Sequence, residues 1–333
     1  MKAFVVTRYS KTEKLQLTDV PRPAPQAGEV LLEVHATGLN VLDAKVRNGE
    51  FKLILPYKPP FVLGHDVAGV VAAVGAGVSQ FKIGDEVYAR PADQHIGTFA
   101  EFVAVPQADV ARKPANLSIN EAGAVPLVAL TAWQALVEVA QLKKGQKVFI
   151  QAGSGGVGTV AIQLAKHLGA YVATTTSAAN ADWVKRLGAD LVIDYKTQDF
   201  ETLLSGYDVV LNSQDTPTLQ KSLRILRPGG VAVSITGPPD GTFARAAGLP
   251  WYLRLVFGLL SFGIRRQARK LGVRYTFLFM RADGRQLGEI TRLIEAGIIR
   301  PVVDKVFPFA QTNEALAYVE SGRARGKVVV QVQ

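Results

Sequence analysis

A glycine-rich turn is the segment whose residue types and spacing most directly indicate chemistry. Gly153, Gly155 and Gly158 fit the pattern G-x-G-x-x-G. The turn follows the apolar, β-prone run Val148–Gln151 and opens a helical pattern, and this context makes the pattern meaningful. One glycine permits the tight turn, one lets a pyrophosphate approach the backbone, and one lets helix and strand pack closely. A helix N-terminus favours phosphate, so the sequence predicts a dinucleotide site; the alternative is a plain glycine-rich turn.

The end of the next predicted strand indicates which dinucleotide is bound. NAD sites usually carry an acid about 20 residues after the turn, where it binds the ribose 2′-hydroxyl. The strand Tyr171–Thr176 ends instead in three threonines followed by Ser177. A carboxylate would repel a 2′-phosphate, whereas hydroxyl groups donate hydrogen bonds to it. The sequence therefore favours NADP(H) over NAD(H), unless these threonines merely suit the end of a strand.

Alternating strands and helices must position this turn. From about Ser118 onward, apolar β-prone runs alternate with helical patterns, which predicts βαβ units and a doubly wound parallel sheet. One such helix is predicted over Glu121–Leu136. Before Ser118, short β-rich runs separated by Gly and Pro predict a barrel-like or partly open antiparallel fold. These runs are Glu29–Ala36, Val67–Val74, Glu86–Ala89 and Ala100–Val105. Residues 238–280 are expected to be irregular, and the chain then ends in helices around 287–294 and 312–320 and a strand at 328–330.

Length and composition exclude several classes of function. The 333 residues suggest about two domains. The absence of cysteine excludes disulfides, thiolate nucleophiles, iron–sulfur clusters and Cys-ligated zinc. The N-terminal apolar run ends at Arg8, too early for a signal peptide. The most apolar window contains Pro250 and Arg254, so no transmembrane helix is predicted and a cytoplasmic location is expected.

Most of the net charge of +10 comes from one stretch of the chain. Between Pro238 and Arg281, eight basic residues accompany one acid, Asp240, so this stretch holds seven of the ten net positive charges. It is also rich in large apolar residues, from Trp251 to Ile264. A segment of this kind can form a lid over a hydrophobic substrate, a subunit contact or a peripheral membrane contact. No nucleic-acid-binding motif accompanies the charge, so no nucleic-acid partner is expected.

Several motifs across essentially the whole chain resemble the zinc-independent quinone oxidoreductase branch of the medium-chain dehydrogenase/reductase superfamily. They are Ala36–Asp43, Leu63–Gly69, Gly84–Val87, Ala152–Gly158, Gly188–Asp190 and Arg325–Lys327. Residues Tyr275–Met280 and Arg300–Phe309 are similar to the plastid and mitochondrial quinone and alkenal reductases. That group reduces quinones or α,β-unsaturated carbonyls with NADPH.

The resemblance implies an α/β chain with a GroES-like β-barrel-type catalytic domain and a Rossmann doubly wound parallel-sheet domain. It places the catalytic domain in residues 1–124 and 263–333 and the NADP-binding domain in residues 125–262. The family also favours homodimers.

The resemblance further implies which residues contact NADPH. Ser177 and Tyr195 would face the 2′-phosphate and adenine ribose, Lys327 the phosphates, and Phe277 and Phe279 the nicotinamide edge. The other implied contacts are Asn40, Asp43, Thr131, Gly153, Gly155, Gly156, Val157, Gly158, Asn212, Thr236 and Gly237. Family members often carry a Lys three residues after the serine, where this chain has Asn180. The 2′-phosphate then loses a charge partner unless Lys185 or Arg186 replaces it.

The residues available for zinc differ from those of zinc-dependent relatives. Those relatives have a Cys in the first motif, a His-Glu pair in the second and a further Cys later. Here Asn40 stands in the first motif, and the second keeps His65 but carries Asp66 in place of Glu. A tetrahedral catalytic site needs three protein ligands, so no catalytic metal is expected and His65 is interpreted as a hydrogen-bonded cleft or core residue.

Hydride delivery to a quinone or conjugated enone needs no metal, since these substrates are already electrophilic. Charge moves onto a distal oxygen that hydrogen-bond donors stabilise. Asn40, Tyr57 and His65 are the candidate catalytic residues, although Tyr57 lies among prolines and also suits a turn. The leading hypothesis is an NADPH-dependent, metal-free reductase of quinones or enones. The alternatives are a zinc alcohol dehydrogenase and a cofactor-binding protein with vestigial catalysis that docks to a membrane or partner through residues 238–281.

Overall fold

The computed structural model describes residues 1–333 and divides them into two units, each with its own principal sheet. The first unit comprises Met1–Leu130 and Arg281–Gln333, and the second comprises Thr131–Met280. The domain boundaries predicted from the sequence, after residues 124 and 262, lie before the boundaries in the structure, which follow Leu130 and Met280. The larger difference arises because the strand Arg274–Phe277 pairs with the parallel sheet of the second unit.

Sixteen strands and twelve α-helices make up the two units. The chain begins with β1 (Lys2–Val6), β2 (Gln16–Asp19), β3 (Glu29–Leu39), α1 (Val41–Arg47), β4 (Phe61–Val62), β5 (Val67–Val74), β6 (Glu86–Ala89), β7 (Phe102–Pro106), β8 (Val110–Arg112), α2 (Ile119–Gly123) and α3 (Pro126–Trp133). The second unit continues with β9 (Lys147–Ile150), α4 (Gly156–His167), β10 (Tyr171–Thr176), α5 (Ala181–Arg186), β11 (Leu191–Asp194), α6 (Phe200–Leu203), β12 (Tyr207–Asn212), α7 (Thr216–Arg224), β13 (Leu226–Ser234), α8 (Gly241–Ala246), α9 (Trp251–Leu260), α10 (Phe262–Lys270) and β14 (Arg274–Phe277). The chain returns to the first unit with α11 (Gly284–Glu295), β15 (Val303–Pro308), α12 (Thr312–Glu320) and β16 (Lys327–Gln331).

Strand β3 pairs with more strands than any other strand of the first unit. It pairs antiparallel with β5, β7 and β16, and its residues are almost all buried. The main sheet has the order β15-β16-β3-β5-β6-β8, and a smaller sheet has the order β2-β1-β4. Val34, Val67 and Val105 belong to the valine-rich core beneath the main sheet. The β-rich, mainly antiparallel character predicted for the first part of the chain is confirmed, although the fourth predicted run is a strand only from Phe102.

The second unit is a parallel sheet with the order β11-β10-β9-β12-β13-β14. Numbered within the unit, this is the order 3-2-1-4-5-6 of the doubly wound dinucleotide-binding fold, which confirms the Rossmann prediction. The strand order reverses between β9 and β12, which pair directly. In such sheets, ligands bind beyond the carboxyl ends of the strands at this reversal.

Two local expectations are corrected by the structure. Residues 238–280 are not irregular, since they form α8, α9, α10 and β14. Helix α9 escaped detection because apolar residues occupy its exposed as well as its buried side, which removes the amphipathic period. The predicted helix Glu121–Leu136 is divided at Ala124–Val125 into α2 and α3, and a π-helical turn follows at Gln134–Val139.

None of the helices combines the length and the apolar character that crossing a bilayer requires.

Candidate functional site

The glycine-rich turn lies between the end of β9 and the start of α4. The Gly153 N–H donates to the backbone oxygen of Thr175 over 2.9 Å, and this bond ties the turn to β10. A Cβ on Gly153 would lie 2.3 Å from Thr174 Oγ1, and a Cβ on Gly158 would lie 2.3 Å from the Ala152 carbonyl oxygen. These two positions therefore exclude any side chain, as the motif predicts.

Gly155 is left open on its Cβ side. A Cβ there would meet only the Ala152 oxygen, at 3.3 Å. Gly155 is also the N-cap of α4, and no side chain caps the helix. The N–H groups of Gly156 and Val157 in the first turn therefore remain available to an anion, and the geometry fits a pyrophosphate.

Ser177 directly follows β10, and its side chain is half-buried. Its Oγ accepts a hydrogen bond of 3.3 Å from Asn180 Nδ2, while Asn180 Oδ1 accepts one of 3.1 Å from Trp183 Nε1. The Ser177 hydroxyl proton is thus free to be donated. Lys185 lies in the last turn of α5, at the end of that helix away from Ser177.

Tyr195 follows β11, and its backbone N–H donates to the Thr176 oxygen over 3.3 Å. The ring is exposed. The structure therefore brings Tyr195 beside the end of β10, where the resemblance places the adenine ribose.

Asn212 ends β12 at the point where the strand order reverses, and it is fully buried. Its Nδ2 donates to Ser234 Oγ over 2.8 Å and more weakly to Thr236 Oγ1 over 3.3 Å. Its Oδ1 is buried without a hydrogen-bond partner. Because buried polar atoms are nearly always satisfied, this oxygen marks a place for a ligand donor. The Gly237 N–H donates to Ser234 Oγ over 2.7 Å, so Ser234 joins the predicted residues Asn212, Thr236 and Gly237.

Phe277 and Phe279 lie at and just beyond the end of β14. Both rings contact Phe243, with centroids 5.1 and 5.7 Å away. Sequence reasoning missed Phe243 because it lies in the segment expected to be irregular. Thr131, the other residue predicted in this unit, lies in α3 and is buried.

In the first unit, a buried cluster joins Asn40, Asp66 and Lys327. Asp66 Oδ2 accepts from Asn40 Nδ2 over 2.9 Å and from Lys327 Nζ over 3.0 Å. The Lys327 ammonium also donates to the Leu39 carbonyl oxygen and to Asn40 Oδ1, over 3.0 and 2.5 Å. All three of its protons are therefore used inside this cluster, which leaves none for a phosphate.

His65 and Asp43 form a second buried pair beside this cluster. His65 Nδ1 lies 2.6 Å from Asp43 Oδ1, and neither side chain is exposed. The other oxygen, Asp43 Oδ2, accepts from the Asn40 backbone N–H over 2.7 Å. Because a carboxylate only accepts, Nδ1 carries the proton and donates it to Asp43. His65 Nε2 is buried without a hydrogen-bond partner, and in the neutral ring it is an acceptor.

Tyr57 belongs to the same unit, and its hydroxyl is buried without a partner. Burial raises the pKa of this phenol, and the charge of Asp93 adds to the effect. The Tyr57 ring lies 5.2 Å from that of Phe61, and the Tyr57 backbone oxygen accepts a hydrogen bond from the Tyr9 hydroxyl. The Tyr57 hydroxyl is therefore protonated, and its proton makes no hydrogen bond within the protein.

These side chains do not fit a tetrahedral zinc site. No group of three or more His, Cys, Asp or Glu side chains is arranged to hold a metal ion. Asp66 Oδ2 is paired with the Lys327 ammonium, and Asp43 Oδ1 is hydrogen-bonded to His65 Nδ1. Within the cluster, only His65 Nε2 is left without a hydrogen-bond partner and could bind a metal ion. A tetrahedral zinc site needs three protein ligands.

Known proteins are similar to this chain along its whole length. Residues 26–115 match the model of the alcohol dehydrogenase GroES-like domain, and residues 187–330 match that of zinc-binding dehydrogenases. The mitochondrial NAD(P)H oxidoreductase RTN4IP1 of Bos taurus is 36% identical, covering 100% of this chain and 89% of the relative. The chloroplastic NADPH-dependent alkenal/one oxidoreductase of Arabidopsis thaliana is 34% identical, covering 99% of this chain and 79% of the relative.

Among solved structures, the quinone oxidoreductase from Coxiella burnetii superposes with a TM-score of 0.87 at 30% identity. The match covers 100% of this chain and 99% of that protein. With the doubly wound sheet, the glycine turn and the GroES-like unit, the chain belongs to the medium-chain dehydrogenase/reductase superfamily of nicotinamide-dependent oxidoreductases.

Proposed function

We propose that this protein reduces quinones or α,β-unsaturated carbonyls with NADPH and without a metal ion. The observation that carries the proposal is the buried ion pair between Lys327 and Asp66, at 3.0 Å. It fixes the Lys327 ammonium on Asp66, which stands where zinc-dependent relatives have the Glu of their His-Glu pair. What remains in the cluster is a set of hydrogen-bonding groups, which suits substrates that are electrophilic by themselves.

NADPH would be held by the second unit. The open N-terminus of α4 at Gly155 suits the pyrophosphate, the Ser177 hydroxyl suits the 2′-phosphate, and the orphaned Asn212 Oδ1 accepts from a ligand donor. When bound, the dihydronicotinamide supplies the hydride. NADPH is favoured over NADH because no carboxylate follows the three threonines of β10.

The three catalytic candidates differ in what they can offer a substrate. Asn40 already donates its amide protons to Asp66 and to the Gly38 oxygen. His65 Nε2 is an acceptor while Nδ1 donates to Asp43. Tyr57 retains a free hydroxyl proton, so it is the group that can donate to an oxygen on which negative charge develops.

Alcohol oxidation makes a different demand on the protein. It requires a group that takes the hydroxyl proton, and in many enzymes a metal ion lowers the pKa of that hydroxyl. The structure contains no group of three metal-ligating side chains, and burial raises the pKa of Tyr57, so its phenol stays protonated in the neutral range. Among the three catalytic candidates, His65 Nε2 is then the one buried proton acceptor without a partner that an alcohol could use. Conjugated acceptors avoid this demand, since their charge moves to a distal oxygen.

NADPH oxidation with a panel of acceptors tests the proposal. The panel contains benzoquinones, naphthoquinones, alkenals and enones, with saturated aldehydes as the matched control. Turnover of the conjugated acceptors that survives dialysis against a chelator is expected. No turnover with any conjugated acceptor despite NADPH binding would contradict the proposed substrate class, and activity restored only by added zinc would contradict the metal-free reaction.

A further inference from the structure

Helix α9 carries large apolar side chains on its solvent-exposed side. Leu253 and Phe257, one turn apart, are buried and hold the helix on the second unit. The opposite side forms an apolar face of six residues that are 41% to 76% exposed, namely Trp251, Tyr252, Leu255, Val256, Leu259 and Leu260. Surface helices normally place polar residues there, so this face indicates an interaction with something apolar.

Helix α10 continues directly from α9 and carries basic side chains outward. Ser261 is buried between them, where its N–H donates to the Phe257 oxygen and its own oxygen accepts from the Arg265 N–H. Ile264 and Ala268 point inward. The exposed residues form a basic face that consists of Arg265, Arg266, Arg269 and Lys270. The apolar face thus ends at Leu260, five residues before the first of four exposed cations.

Acidic residues are absent from this region of the chain. No Asp or Glu occurs between Asp240 and Asp283. None of the four cations of the basic face forms an ion pair with a carboxylate of this chain. Their charge is therefore uncompensated, and an occupant of the surface must supply negative charge beside an apolar phase.

A second copy of the chain does not meet this requirement. In a two-fold symmetric contact the same patch faces itself, and because no Asp or Glu occurs between Asp240 and Asp283, this patch brings no negative charge to the basic face. An anionic bilayer meets both requirements, because it offers acyl chains to the apolar face and phosphate groups to the cations. Arg254, the single charge within α9, has an exposed side chain that can extend toward headgroups.

We propose that α9 and α10 form a docking surface for anionic phospholipid bilayers. The ten residues of α9 span about 15 Å. The helix lies along the boundary between headgroups and acyl chains, and the basic face of α10 contacts the headgroups. The contact is peripheral.

Sedimentation of the full-length protein with vesicles tests this surface. Binding is expected to vesicles that contain phosphatidylglycerol, and not to phosphatidylcholine alone, and it should weaken as salt screens the headgroups. The double substitutions Leu255→Glu/Leu259→Glu and Arg265→Glu/Arg266→Glu should each lower binding at least tenfold.

Matched controls exist elsewhere in the chain. Ile83→Glu replaces a 65% exposed apolar residue of the first unit, and Lys11→Glu/Lys14→Glu reverses two exposed charges there. Both controls should bind vesicles like the parent. Circular dichroism of every variant checks that the fold is retained.

Fluorescence of the unsubstituted chain gives a test that needs no charge change. Trp251 is 70% exposed, whereas Trp133 and Trp183 are half-buried. Brominated acyl chains should quench the emission, and Trp251→Phe should abolish that quenching. The proposal is overturned if anionic vesicles do not bind, or if they bind all variants equally. It is also overturned if Leu255→Glu/Leu259→Glu dissociates an oligomer that has no vesicle affinity, since a second copy then covers the apolar face.

Discussion

The Lys327 ammonium lies 3.0 Å from Oδ2 of Asp66, although 261 residues separate the two along the chain. Both side chains are almost completely excluded from solvent. The second oxygen, Asp66 Oδ1, accepts from the Leu127 N–H over 2.7 Å. The pair is thus fully hydrogen-bonded and holds β16, Asn40 and the Leu63–Gly69 motif in one arrangement.

Loss of one partner of this pair should destabilise the first unit strongly. Lys327→Met leaves the Asp66 carboxylate buried without a counter-charge, and breaking a buried pair in this way costs about 3–5 kcal/mol. A large fall in the unfolding midpoint is expected in denaturant titrations. Lys2→Met, which breaks the exposed pair with Asp19 at 2.7 Å, is the control and should leave the midpoint unchanged. Equal midpoints for Lys327→Met and the parent would show that the pair contributes nothing.

Short-range patterns made much of the fold predictable. The glycine turn and the strands Tyr171–Thr176 and Val67–Val74 coincide with the structure because turn chemistry and apolar runs act within a few residues. The partners of Lys327 could not be predicted, since a contact across 261 residues has no local signal. Helix α9 was missed for another reason, because its apolar exposed side hides the helical period.

Two glycines of the nucleotide turn should respond differently to alanine. At Gly158 the added Cβ would meet the Ala152 oxygen and the Gly153 Cα at 2.3 and 2.8 Å, which the backbone cannot relieve cheaply. Gly158→Ala should therefore cost about 1–3 kcal/mol or more. At Gly155 the Cβ has one neighbour at 3.3 Å, so Gly155→Ala should fold normally. Its methyl group stands where a phosphate approaches, and NADPH affinity should fall about tenfold, roughly the effect of one lost charge-assisted hydrogen bond.

Thermal unfolding and fluorescence titration with NADPH separate these two outcomes. Gly158→Ala should lower the midpoint of unfolding, while Gly155→Ala should change only the dissociation constant. A Gly155→Ala protein that binds NADPH as well as the parent would contradict the placement of the pyrophosphate.

A lysine in place of Asn180 should strengthen the preference for NADPH. Asn180 Nδ2 lies 3.3 Å from Ser177 Oγ, so an ammonium at this position can reach an anion held by that hydroxyl. A hydrogen bond to a charged group is worth about 1.5–3 kcal/mol, which corresponds to at least tenfold in affinity. The ratio of NADH to NADPH dissociation constants should rise in Asn180→Lys at low salt and decline again at high salt. An unchanged ratio would place the 2′-phosphate elsewhere; Ser177→Ala, which should lower the ratio, is the companion variant.

Removal of the Tyr57 hydroxyl should affect catalysis and leave stability intact. This hydroxyl is buried without a partner, so Tyr57→Phe removes an unsatisfied polar group and should not lower the unfolding midpoint. If the hydroxyl donates to the substrate oxygen, kcat with an enone should fall by about 10²-fold. Because burial raises the pKa of Tyr57, the phenol stays protonated through the neutral range, and the pH profile of the parent should show no step from its ionisation there.

Tyr88 is a control for Tyr57, because loss of its hydroxyl should lower stability and leave catalysis unchanged. Its hydroxyl is buried too, but it donates to the Leu287 oxygen over 2.8 Å and lies 2.9 Å from Thr291 Oγ1. Tyr88→Phe removes both hydrogen bonds, each worth about 0.5–1.5 kcal/mol, and should cost about 1–3 kcal/mol of stability with kcat unchanged. Steady-state kinetics and denaturant titrations on both variants therefore distinguish a catalytic hydroxyl from a structural one. A Tyr57→Phe protein with the parent's kcat on every conjugated acceptor would remove Tyr57 from the reaction.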